Sequence, residues 1–126
     1  MTIGFDEIQL DKTPVGRIVT LKFKQRLDKA DYDEFVPQIE TIMQNGDNIR
    51  LLVELHDFEG WTAGALWEDT KFAARHFNDI DRLAVVGDKQ WENGVTVFVK
   101  PFTNAQVRFF SHEEINAARR WIRASD

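Results

Sequence analysis

The chain opens with two runs that read as strands, FDEIQL (5–10) and VGRIVTLKF (15–23). In the second, Val19, Leu21 and Phe23 fall on one face by alternation. DKTPVG between them supplies the Asp, Pro and Gly of a turn, so a hairpin is expected. The spacing then changes. In LDKADYDEFVPQIETIMQNG (27–46), Tyr32, Phe35, Val36, Ile39, Ile42 and Met43 recur at helical intervals, and Gly46 is placed to stop the helix. Pro37 inside it loses a backbone hydrogen bond, which predicts a kink or an irregular first half.

IRLLVEL (49–55) is almost wholly apolar, the mark of a central strand covered on both faces. TAGALWEDTKFAARHF (62–77) is expected to be a helix with Thr62 as its N-cap, and RLAVVGD (82–88) a further buried strand. AQVRFF (105–110) reads as the last strand and SHEEINAARRWIR (111–123) as the last helix. There Ser111 and Glu114 have the spacing of a capping box, and Ile115, Ala118 and Ile122 make an inward stripe. KQWENGVTVFVKPF (89–102) is ambiguous: VTVFV favours a strand, yet Trp91, Val95, Phe98 and Phe102 recur on a helical face. The order ββαβαβ(α)βα predicts one α/β domain, residues 1–126, with a mixed sheet covered by helices.

DFEGWTAGALWED (57–69) puts Phe58, Trp61, Leu66 and Trp67 around two glycines. It leaves a central strand and enters a helix, and open α/β sheets bind ligands at the carboxyl ends of their strands. On a helical wheel Leu66, Thr70, Ala73 and Phe77 share one stripe, with Ala63 and Ala74 near it. Trp67 lies to one side, and Ala65, Phe72 and His76 lie to the other, so the apolar arc is wider than one packing contact requires. One flank is therefore expected to border an apolar groove, with the ambiguous segment 89–102 as its mobile cover. The predicted ligand-binding residues are Phe58, Trp61, Trp67, Phe72, His76, Trp91, Val95, Phe98 and Phe102.

Composition narrows the function classes. A net charge of −5 argues against nucleic acid, and the Arg119, Arg120 and Arg123 cluster suits a helix C-terminus instead. No cysteine is present, so no disulfide is expected. The start, MTIGFDEIQL, lacks the basic and apolar regions of a secretory signal, and no apolar run reaches the length of a membrane span. A cytoplasmic protein is the expectation. HDFE gathers His56, Asp57 and Glu59, a set able to catch a metal, but HExxH and closed ligand spacings are absent, as are a P-loop, GxGxxG and a nucleophile elbow. Neither catalytic residues nor a metal or cofactor is expected, and the protein is read as non-enzymatic.

IRLLVEL.DFEGWTAGALWEDTKF, then RH, RLAVVGDKQW and RFF…E.NAARRWI, resembles the SpoIIAA-like family of small bacterial proteins, within the STAS superfamily and with kinship to CRAL-TRIO lipid-binding domains. The resemblance covers nearly the whole chain. It implies a mixed sheet with helices packed chiefly on one face, and a helix for the ambiguous segment. It implies two functions: binding or carriage of a nonpolar, lipid-like molecule with transient peripheral membrane contact, or a regulatory protein-interaction module resembling anti-sigma-factor antagonists. The first is the leading expectation; a protein partner or a homodimer goes with the second. In the antagonist relatives, the resemblance implies, a serine in an Asp-Ser-Ser-Gly-like motif at this helix start is phosphorylated. Here the match is WTAG, with Ala63 on the phosphorylated position, which leaves Thr62 as the candidate phosphate acceptor.

Overall fold

The structure is a computed structural model that describes residues 4–44, 48–76, 78–88 and 105–125, without the side chain of Ala73. Strand β1 (Phe5–Thr13) and strand β2 (Gly16–Leu27) form the expected hairpin. Pro14 and Val15 make its turn; Thr13 Oγ1 accepts from the Val15 N–H and donates to the Gly16 carbonyl. Gly16 has φ 118°, a left-handed value that favours glycine. Helix α1 (Lys29–Met43), β3 (Ile49–Trp61), α2 (Ala63–His76), β4 (Ile80–Gly87) and β5 (Gln106–Ser111) follow. A 3₁₀ turn at His112–Glu114 leads into α3 (Ile115–Arg123).

The five strands stand in sequence order in one mixed sheet. β1 and β2 are antiparallel, and β2, β3, β4 and β5 are parallel. Alternation along the strands separates two cores. Val19, Leu21, Phe23, Leu51, Val53, Leu55, Leu83 and Val85 meet α1 and α2 on one face. Ile18, Leu52, Ala84, Val86 and Phe110 meet Ala118 and Ile122 of α3 on the other. Two of the three described α-helices thus share one face. The capping box of Ser111 and Glu114 and the inward stripe of α3 are as the spacing predicts.

Three buried arginines at the strand beginnings fix the helix ends. Arg17 of β2 donates to the carbonyl of Ile42 at the end of α1. Arg50 of β3 donates to the carbonyls of Ile122 and Ala124, and Arg82 of β4 to that of Trp121, whose ring it also covers. Each satisfies carbonyls that the last turn of a helix leaves without an internal partner.

α1 runs as one helix through Pro37, which lies on its exposed side where water serves the carbonyl that lost its donor. Gly46, expected to end the helix, lies outside the described residues, as do Phe77 and all of 89–104. The main departure from expectation is the length of β3. It continues past Leu55 to Trp61 by pairing with an equally extended β2. Lys24 opposes His56, Gln25 opposes Phe58 and Arg26 opposes Gly60, so Asp57 and Glu59 are extra residues on β3. Bulges of this kind bend and twist a strand while keeping it paired. Gln25, Asp57 and Gly60 have left-handed φ values of 54°, 48° and 117°. No described helix is long and apolar enough to cross a membrane.

The hairpin is tied to α1 by Asp31. Fully buried, it accepts from the N–H groups of Gly4, Phe5 and Asp28, the last within a capping box. Asp31→Ala leaves those donors without this acceptor and is expected to cost about 3–5 kcal/mol in urea unfolding. A loss below about 1 kcal/mol would show that the carboxylate does not hold the hairpin.

Candidate functional site

The corner between β3 and α2 is built from both helix starts. The Thr62 N–H bonds to the carbonyl of Leu27, and Thr62 Oγ1 accepts from the Ala65 N–H, so Thr62 is the N-cap that the sequence predicts. The Thr62 hydroxyl donates to Asp28 Oδ1 at 2.8 Å, and Asp28 is itself the N-cap of α1. This hydrogen bond and one from the Lys29 N–H hold the Asp28 carboxyl below its ordinary range. A phosphate on Thr62 would break the hydroxyl donor and set its charge beside that carboxylate.

The structure divides the wide apolar arc of α2. Among the described side chains its buried residues are Ala65, Asp69 and Phe72, whereas Leu66 is 38% exposed and Thr70 is exposed. Ala65 and Leu66 are neighbours on the chain, so the buried stripe lies about 100° around the helix from the one through Leu66. Polar partners accompany this setting. Asp69, only 5% exposed, lies 3.0 Å from the Tyr32 hydroxyl on α1. One turn beyond Phe72, His76 sets Nδ1 2.8 Å from Asp79 and Nε2 2.8 Å from Glu40 of α1, with its ring against Phe72. Both ring nitrogens face carboxylates.

The predicted ligand-binding residues therefore divide. Phe58 and Phe72 are buried in the core between the sheet and the two helices, and Phe58 meets Trp61 edge-on at 4.8 Å. Trp61 is half-buried on that core. His76 is engaged by two carboxylates. Trp67 stands apart, 63% exposed on the outward side of α2 beside Leu66. Trp91, Val95, Phe98 and Phe102 lie outside the described residues, and so does the predicted cover they belong to. Among the described residues, the interior space lined by Leu21, Phe23, Tyr32, Phe35, Leu51, Asp69 and Phe72 measures about 10 Å³. That is room for one water at most.

Of the HDFE cluster, His56 bonds through Nε2 to Glu54 and stacks on His112, which pairs with Asp88. No three metal-ligating side chains gather into a metal site among the described residues.

Asp69 is the residue that sequence reasoning missed. Burial pushes its carboxyl up to about 8 from an ordinary value of 3.8, against a smaller opposing effect of the Tyr32 hydrogen bond. Burial, with Asp69 next to it, also raises the Tyr32 hydroxyl well above its ordinary value. A signal was present: Ala65, Asp69, Phe72 and His76 recur at four, three and four residues. That stripe is as regular as the one through Leu66, and its small first residue permits close approach of a second helix.

The family comparison agrees with this architecture. A SpoIIAA-like family model matches residues 18–123. A crystal structure of an uncharacterized protein of the DUF3478 family from Shewanella loihica PV-4, described as having a SpoIIAA-like fold, superposes with a TM-score of 0.78. It covers 97% of this chain and 95% of its own at 22% identity, which establishes likeness of fold. No curated protein matches the chain.

The sign of the pH effect follows from Asp69. Its folded form holds a proton that the unfolded chain releases near 3.8, so this contribution is fully present below that value and is lost as pH rises through about 8. Urea midpoints should fall between about pH 5 and pH 8.5, and Asp69→Asn should flatten that fall. An Asn variant with the wild-type slope would contradict the assignment.

Proposed function

This chain belongs to the SpoIIAA-like family, and on that premise we propose that it is a non-enzymatic, regulatory protein-interaction module that recognises a partner through the outward face of α2. A SpoIIAA-like fold supports a binding or regulatory module in general. The observation that carries the finer reading is the exposure of Trp67 beside Leu66, on a helix whose opposite side is held by Asp69, Phe72 and His76. A large exposed indole on a rigid element is the usual anchor of a protein interface. The surface is helical, and an exposed helix face with apolar anchors suits a partner's groove.

Binding of a nonpolar, lipid-like molecule is the second reading. The same exposed Trp67 and Leu66 favour it, as an apolar wall or as a weak peripheral contact with a membrane. The net charge of −5 opposes attraction to anionic lipid. The space between Phe23, Tyr32, Phe35 and Phe72 is too small for such a ligand, which on this reading lies against the outer face of α2.

Comparison of wild type with Trp67→Glu separates the readings. A partner retained by the wild-type chain, identified by mass spectrometry and titrated in purified form, should bind the variant at least about 30-fold more weakly. The stability of the variant should stay within about 0.5 kcal/mol of wild type. Equal binding by both chains would refute the role of α2. Uptake of a fluorescent fatty acid or flotation with neutral vesicles, lost in Trp67→Glu and Phe98→Ala while stability holds, would favour the second reading.

A further inference from the structure

β1 is an edge strand: its neighbour on one side is β2, and among the described residues no strand pairs with its other side. Nine residues of strand present about 30 Å of backbone with N–H and C=O groups available for pairing. Leu10 on this edge is 39% exposed, the third exposed large hydrophobic residue besides Leu66 and Trp67 among the described residues. It lines an apolar groove between β1 and α1 with Ile8, Gln38, Thr41 and Ile42. The polar atoms of Gln38 and Thr41 are turned onto carbonyls of α1 itself, at Glu34 and Pro37. They leave methylene and methyl groups for the groove wall.

From this geometry we infer that the edge of β1 is a homodimer interface, in which β1 of a second copy pairs antiparallel about a two-fold axis at Leu10. The sequence of the strand selects the occupant and the register. In FDEIQLDKT, centring the axis on Leu10 sets Leu10 against Leu10, Ile8 against Lys12, Gln9 against Asp11 and Glu7 against Thr13, with no like charges opposed. Centring it on Gln9 sets Ile8 against Leu10 and Asp6 against Lys12, but opposes Glu7 to Asp11 twice next to the axis, which the Leu10 register avoids. Centring it on Ile8 sets Leu10 against Asp6 and runs into the irregularity between Phe5 and Glu7. In the Leu10 register, Ile8 and Leu10 of both copies lie on the side of the sheet that carries α1, where the groove is. The two sheets join into one of ten strands, which removes both exposed edges at this side.

Light scattering on the full chain, over graded concentrations, tests the interface. Wild type should reach about twice 14.7 kDa. Leu10→Glu and Leu10→Lys should each be monomeric with unchanged circular dichroism, and an equimolar mixture of the two should dimerise again because residue 10 faces its own copy. Thr41→Arg, on the exposed side of α1, should also give a monomer and does not depend on the strand tolerating a charge. A wild-type monomer at every concentration overturns the proposal. So does a dimer that survives Leu10→Glu and Thr41→Arg, or a Glu and Lys mixture that stays monomeric.

Discussion

The rotational setting of α2 decides what this protein shows to solvent. A helix lying on a sheet can bury only one stripe, and here that stripe contains a carboxyl group. Asp69 meets Tyr32 of α1 at 3.0 Å, and one turn beyond Phe72 the His76 ring bridges Glu40 and Asp79. These contacts lie at the junction of α1, α2 and the sheet, where a buried polar group without a partner would be unfavourable. Turning the helix to bury Leu66 would pull Asp69 away from its hydroxyl. The outward place of Leu66 and Trp67 is the consequence.

The ground under α2 is set by the sheet. Paired extension of β2 and β3 carries both strands past the length of β4, through bulges at Asp57 and Glu59. The two strands end together at Leu27 and Trp61, so Asp28 and Thr62 can cap α1 and α2 side by side and bond to each other. At the opposite ends of the strands, Arg17, Arg50 and Arg82 hold the last carbonyls of α1 and α3. Polar contacts at both ends of the sheet thereby position helices whose attraction to it is otherwise apolar and without direction.

Local pattern made much of this legible. The stripe of α1 from Tyr32 to Ile39, the buried strands around Leu52 and Val85, and the Ser111–Glu114 box all follow from nearest neighbours along the chain. The long β3 did not, because HDFEGW has the polar residues and glycine of a loop and becomes strand only through its pairing with β2. For a related reason the facing of α2 was not legible. The wheel leaves an arc wider than one contact, whereas the contact that goes with the observed setting joins residues 37 positions apart, and a wheel contains no Tyr32. Of the candidate site, Thr62 as N-cap was readable, whereas the depth at which Phe58 and Phe72 sit in the core depends on packing against α1 and was not.

The account stands on Trp67 facing water while Trp61 is packed. Indole Nε1–H signals in a ¹⁵N spectrum, assigned by Trp67→Phe and Trp61→Phe and exposed to a soluble paramagnetic gadolinium chelate, measure this directly. The Trp67 signal should broaden strongly and the Trp61 signal weakly. A Trp67 indole as protected as that of Trp61 would contradict the setting of α2 and the recognition surface built on it.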